Sequence, residues 1–279
     1  MKFSAIFILF NIIILFFLGF IFIAPAVILG GEASRSFWGG IWPLTLLLFL
    51  TIAGMDAFYL RNRRLLLLLE KEDWPALSQY LEQRIFRRGR YSFSLVRLLA
   101  HTYLILSDSA SVITLENRVA IARPGMVEKN ALIFGVARIL QKDYEGAALF
   151  FAEHCGEGKN GPDRYRLEFF CAFSLFLSGK YEGAAERFKA LALSSHDALV
   201  TALAACFLEK HLSVALGRKY EPGAAAGGRS RALKALPSRT VWDKERSKVQ
   251  TEIHGVILRP YLEEAGVWLY GRPSEKFRV

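Results

Sequence analysis

A run of five residues occurs twice in this chain, at a spacing that constrains the fold more than any other feature. Tyr144-Glu145-Gly146-Ala147-Ala148 is followed by Phe151, and Tyr181-Glu182-Gly183-Ala184-Ala185 is followed by Phe188. The two tyrosines lie 37 residues apart. A fixed period of about 20–50 residues marks stacked supersecondary units, each unable to bury its apolar face alone. A further copy lies 35 residues upstream of Tyr144, where Val96, Leu99, Ala100 and Tyr103 open the unit. There Ser109 stands in the tyrosine's place and Pro124 closes the unit. Weaker echoes occur at Glu72-Asp73-Trp74-Pro75-Ala76-Leu77 and at Lys219-Tyr220-Glu221-Pro222-Gly223-Ala224-Ala225.

These units resemble the tetratricopeptide repeat, a helix-turn-helix of about 34 residues. The resemblance is carried by small residues at Ala100, Gly135, Ala172, Ala147 and Ala184 and by the aromatics Tyr144, Tyr181, Phe151 and Phe188. Small residues twelve apart let the two helices of one hairpin approach, and the aromatics fill the space beside them. Ala131 and Glu168 depart from the pattern where a large residue is usual, and Arg138 replaces an aromatic. The resemblance covers residues 65–216 and is specific only from Val96 to Leu193. It implies an all-α chain whose hairpins stack into a superhelix, with protein–protein binding on a concave face lined by the first helix of each hairpin.

On that register the concave face takes Arg97, His101, Leu104 and Ile105 from the first unit. Lys129, Leu132, Val136, Ile139 and Leu140 follow from the second, and Arg166, Phe169, Phe173, Phe176 and Leu177 from the third. The result is an apolar groove with basic groups toward the starts of its helices, suited to an amphipathic or acidic-ended peptide. The alternative occupant is the chain's own C-terminal helix around Trp242 to Ile257.

The first 60 residues set the location. Phe3 to Leu29 and Trp38 to Leu60 are almost uninterrupted apolar runs, each longer than the roughly 20 residues needed to span a bilayer. Only Gly30 to Phe37 separates them, so the pair reads as a transmembrane hairpin in residues 1–60. Arg61, Arg63 and Arg64 follow the second run directly, which by the positive-inside rule puts residues 61–279 in the cytoplasm. Ala24-Pro25-Ala26 has the look of a signal-peptide cleavage site, but the apolar region is long for one and Lys2 is a thin basic start. Asp56, about one turn from the arginines, can reach headgroup water and reads as an interfacial carboxylate rather than part of an ion pathway.

The formal net charge of +10 is unevenly distributed. Residues 61–97 hold nine Lys/Arg against four Asp/Glu, and 217–250 hold nine against three, whereas 98–216 are nearly balanced. Basic residues beside a membrane favour anionic lipid headgroups, which gives Arg61, Arg63 and Arg64 a membrane-surface role. The basic segments lack interleaved aromatics for base stacking, so nucleic acid is not expected. Residues 217–239 read as a basic Gly/Ala-rich linker or a degenerate last hairpin, since glycine costs a helix about 1 kcal/mol relative to alanine. Residues 240–279 read as a C-terminal helical segment interrupted at Pro260.

No catalytic constellation is evident. Gly156-Glu157-Gly158-Lys159-Asn160-Gly161 satisfies the dinucleotide glycine pattern, but that chemistry needs a strand before it and a helix precedes it here. No histidine pair stands at i and i+4, and Cys155, Cys171 and Cys206 have no metal or redox spacing. The chain is therefore expected to be neither an enzyme nor a cofactor or small-molecule binder. Its expected partners are a protein or peptide and the lipid surface. The expected role is a membrane-anchored scaffold or adaptor, with a subunit of a transport, secretion or motility complex as the alternative.

Overall fold

The computed structural model describes residues 3–155, 162–217, 220, 222–250 and 253–271, and among them every regular element is helical. The glycine-rich loop 156–161 lies outside the described residues, as do Lys219 and Glu221 of the last echo. Two compact units divide the chain, Met1–Gln83 and Arg84–Val279.

In the first unit, α1 runs from Phe3 to Glu70 with helical backbone throughout, including Gly30 to Phe37, where the sequence suggests a loop. The rings of Phe7 and Tyr59 nevertheless stack with centroids 3.8 Å apart. A straight helix would separate these residues by about 78 Å at 1.5 Å per residue. The helical path must therefore reverse between them, and pairing Phe7 with Tyr59 puts the midpoint at residue 33. Burial agrees with that reversal. Phe7, Asn11, Ile14 and Leu18 on one arm are half-covered, and so are Ile52, Asp56, Tyr59 and Asn62 on the other, each set forming one helical stripe. Polar side chains on these arms bond back to their own helix: Asn11 Nδ2 donates to the Phe7 carbonyl at 3.1 Å and Thr51 Oγ1 to that of Leu47 at 2.8 Å. Helix α2 (Trp74–Glu82) starts on an Asp73 cap with Pro75 in its first turn and continues into a π-turn, Gln83–Arg87.

The second unit holds α3 (Phe93–Ile105), α4 (Ser109–Ala122), α5 (Gly125–Lys129), α6 (Ala131–Leu140) and α7 (Tyr144–His154). There follow α8 (Pro162–Leu177), α9 (Tyr181–Ser194), α10 (Ala198–Phe207) with a π-turn Leu208–Leu212, and α11 (Ser213–Leu216). Helices α12 (Gly223–Ala235), α13 (Arg239–Gln250) and α14 (Ile253–Tyr270) complete it. From α3 onward the main helices pack on their neighbours in turn: α3 on α4, α4 on α6, α6 on α7, α7 on α8, α8 on α9, α9 on α10 and α10 on α12.

One turn geometry recurs along the chain and explains the sequence period. Glu72, Ser107, Lys142 and Gly179 all have left-handed backbone, with φ of 53°, 58°, 63° and 78°. At each, two hydrogen bonds close the preceding helix. Lys142 N donates to Ile139 O and Asp143 N to Arg138 O, and the other three turns repeat the same two offsets. This is the Schellman closure. The next residue then caps the following helix, Asp143 accepting from Gly146 N at 2.9 Å and Asp108 from Ser111 N at 3.0 Å. A Cβ on Gly146 would stand 2.1 Å from the Asp143 carboxylate, which would have to shift to admit it, as the cap at Asp108 admits Ser111.

Close approach explains two further glycines. A Cβ on Gly135 would lie 2.2 Å from the Phe151 ring, so α6 and α7 meet over that ring. Gly228 lies under the methyls of Ala192 and Ala205, each 2.9 Å from where its Cβ would stand. Within the stretch read as a linker or a degenerate last hairpin, Gly223–Ala235 is thus the well-packed helix α12, wedged against both α9 and α10. Propensity disfavours it by about 1 kcal/mol per glycine, and tertiary packing overrides that cost. Gly228→Leu is expected to destabilise the protein by about 1–3 kcal/mol through overpacking; an unchanged melting temperature would place α12 away from that crossing.

The C-terminal part also differs from its sequence reading. Helix α14 continues through Pro260. Proline removes one N–H bond, here the one to Val256, a residue 67% exposed, so water can satisfy the freed carbonyl. Among the described residues one helical stretch, Ala198–Leu216, is long and apolar enough to cross a membrane, but 61% of it is buried inside the fold. That stretch is a core helix. The apolar arm Ile6–Ile21 is shorter, and the expected spans 3–29 and 38–60 include residues whose side chains lie outside those described.

Candidate functional site

The residues assigned to a concave groove fall on α3, α6 and α8 except Lys129, which ends the separate short helix α5, and much of that groove is filled. Phe169 and Phe173 are each 1% exposed and Val136 is fully buried, with Ile139 buried beside it. Phe207 of α10 lies 6.0 Å from the Phe169 ring and 5.7 Å from that of Phe173. Tyr261 of α14 closes over the same cluster, 5.4 Å from Phe173 and 4.8 Å from Phe207. At its edge Phe176 meets the His211 ring, and His211 Nε2 contacts Glu264 Oε2 at 3.0 Å. Helix α14 packs on both α6 and α10.

Phe169, Phe173, Val136 and Ile139 are therefore core in this conformation and offer no surface to a partner. The reason is hydrophobic: a row of phenylalanines on α8 is stabilised by whichever apolar helix can reach it, and α14 of the same chain does. The covering residues are Leu258, Tyr261 and Leu262, further along than the expected Trp242 to Ile257. Trp242 instead packs on Gly266, where a Cβ would stand 2.7 Å from the indole nitrogen. Leu132, His101, Leu104, Phe176, Leu177 and Arg166 are half-covered. Arg97, Ile105, Lys129 and Leu140 stay exposed, with Leu140 at 49%. Arg97 also stacks over Phe93 and reaches His101.

An open concavity lies elsewhere. A cavity of about 670 Å³ is lined by the start of α8 (Arg164, Tyr165, Arg166), the turn into α10 (His196 to Leu199) and the α12–α13 corner. Its floor is apolar and buried, at Leu199, Leu236 and Val249. Its rim is polar. Tyr165 and His196 share a hydrogen bond between the phenol oxygen and Nδ1 at 2.7 Å. Arg166 Nε approaches Asp197 Oδ2 at 3.5 Å, while the Asp197 Oδ1 caps α10 through the N–H groups of Leu199 and Val200. Lys248 Nζ donates to Glu245 at 2.6 Å. The Arg164 Nε is buried with no hydrogen-bond partner among the described residues. Of these residues sequence reasoning found only Arg166. The others come from segments up to 85 positions apart, and no local pattern links them.

The cysteines offer little chemistry. Burial pushes the Cys171 thiol up to about 11 and the Cys206 thiol up to about 12, against the nearby cations Arg187 and Lys210. Both stay protonated and weakly nucleophilic at neutral pH. Among the described residues no group of three His, Cys, Asp or Glu is placed to hold a metal ion.

A sequence family described as "Uncharacterised Treponema protein" matches residues 111–271, from α4 to the end of α14, and the chain belongs to that family. A protein of Treponema pallidum (strain Nichols), described as "Uncharacterized protein", is 28% identical over 282 residues. That similarity spans 97% of this chain and 88% of the relative, so it takes in the apolar N-terminal unit together with the helical one.

Proposed function

We propose that this member of the family is a membrane-anchored adaptor, with a tetratricopeptide-like solenoid that holds a protein partner at the cytoplasmic face of a bilayer. One observation carries the reading. Large apolar side chains crowd the outward faces of α1 and stand open, among them Leu15 at 68%, Phe16 at 72%, Phe49 at 63% and Phe58 at 66%. Exposed apolar surface on that scale calls for lipid or a partner. The reversing path of α1 gives two apolar arms, and Asn11 and Thr51 on them bond to their own backbone, as a hydrocarbon environment demands. So few polar side chains, satisfied in this way, favour an anchor over a conducting pathway. The turn recurring at Glu72, Ser107, Lys142 and Gly179 supports the repeat assignment.

With Phe169 and Phe173 covered, the partner surface reduces to the exposed residues Arg97 and Ile105 on α3, Lys129 on α5 and Leu140 on α6. Lys129→Glu combined with Leu140→Glu is expected to weaken capture of the native partner from membranes while the helical content is unchanged.

The anchor itself is tested by alkaline extraction and by a reporter. The full chain is expected to stay in the membrane fraction at high pH, and a variant without residues 1–60 to be released. A reporter active only outside the cytoplasm, fused after Val279, is expected to be silent. Release of the full chain would remove the anchor, and strong reporter activity would invert the topology.

A further inference from the structure

We infer that the cavity between α8, α10 and α13 is a binding site for a small organic oxyanion, a carboxylate or phosphate head on a short apolar body. This site is independent of the partner surface above, and it departs from the sequence expectation that no small molecule is bound.

Charge pairing on the rim singles out the anchor. Arg166 has Asp197, and Lys248 has Glu245. Among the described residues Arg164 is the remaining cation of the lining, and its Nε is closed off from water without an acceptor. A buried polar atom lacking a partner is uncommon in a folded protein, and one on a charged group costs more than a neutral one. An Nε closed to water is closed to a ligand in the cavity as well, but Arg164 lines that cavity, and an oxyanion there would give its guanidinium the counter-charge that Arg166 and Lys248 already have. The Tyr165–His196 pair stands on the same rim, where the imidazole or the phenol can add a donor.

The floor selects the rest of the ligand. Leu199, Leu236 and Val249 are 7%, 2% and 8% exposed beneath a polar edge. A separate small cavity of about 20 Å³ shares Arg166, Asp197, Leu199 and Val249 with the larger one and is closed by Leu258 and Leu262. A bare inorganic ion would leave this floor empty, whereas a short alkyl chain would cover it. The volume of about 670 Å³ lies within the range of about 300–1,000 Å³ usual for small-molecule sites.

The test uses the full chain in nanodiscs of zwitterionic lipid, titrated calorimetrically with hexanoate, hexyl phosphate, hexanol and inorganic phosphate, with protein-free discs as blank. Saturable binding of hexanoate or hexyl phosphate is expected, and the stronger of the two assigns the head group. Arg164→Gln is expected to weaken it about tenfold or more, the loss of a charge-assisted contact. Val241→Trp, which fills the cavity from its apolar side and keeps Arg164, is expected to abolish it. Thermal unfolding followed by circular dichroism checks that both variants fold. Equal binding of hexanol would overturn the anionic anchor, and equal binding of inorganic phosphate would overturn the apolar floor. Absence of binding by the wild-type chain, or unchanged affinity in both variants, would overturn the site itself.

Discussion

Phe207→Ala is expected to lower the unfolding free energy by about 3–5 kcal/mol, the range for deleting a large buried ring. Phe207 is 1% exposed at the end of α10. Its ring lies 5.1 Å from Phe188, 5.5 Å from Phe176 and 4.8 Å from Tyr261, so three helices besides its own depend on it. The cavity left behind cannot collapse easily, because Phe169 and Phe173 are held by the same cluster from another side. Tyr261 loses its nearest ring, and α14 should loosen before the rest of the unit. The measurement is denaturant unfolding of the detergent-solubilised full chain, together with hydrogen exchange across residues 253–270. Leu149→Ala, at a side chain 73% exposed on α7, serves as the control and should shift stability by no more than about 0.5 kcal/mol. Equal effects at the two positions would mean that the aromatic cluster is not the core.

How far the sequence reached depends on the range of the interactions involved. Tyr144 and Tyr181 begin α7 and α9 because the left-handed turn and the helix start after it are local devices, encoded within about six residues. The two copies are nonetheless not equivalent. Asp143 caps its helix, whereas Lys180 gives no side-chain cap and instead pairs with Glu145 across the repeat at 2.8 Å. Counting along each first helix put Phe169 and Phe173 on one face. What covers that face comes from Tyr261, 88 residues after Phe173, and no local count supplies it. Gly228 marks the same limit in another form. A glycine read alone signals a weak helix, and only the methyls of Ala192 and Ala205 show that the missing Cβ is the reason α12 fits. The cavity had no signature at all, since its charged rim and apolar floor are assembled from four separate stretches of chain.

Arg138 is the departure from the repeat pattern with the largest expected consequence. It stands where the resemblance to the tetratricopeptide repeat would put an aromatic, and the structure shows what occupies that place. Its Nη1 and Nη2 donate to the two oxygens of Glu116 at 2.6 and 2.9 Å, clamping α6 onto α4. The guanidinium also lies over the Phe150 ring, 4.2 Å from its centroid, and so joins α7 to the same point. Both side chains are largely buried, 15% and 9% exposed. Removing one partner leaves the other charge without compensation, so Arg138→Ala is expected to cost about 3–5 kcal/mol. Arg138→Leu combined with Glu116→Leu should recover most of that loss, because two apolar side chains can fill the site without a desolvation penalty. A double-mutant cycle on the full chain, read by denaturant unfolding, isolates the coupling from the packing of each side chain. If each single variant costs under about 1 kcal/mol, the pair behaves as an exposed surface bridge, and the contact between α4 and α6 must then be held by Val119, Phe134 and their apolar neighbours alone.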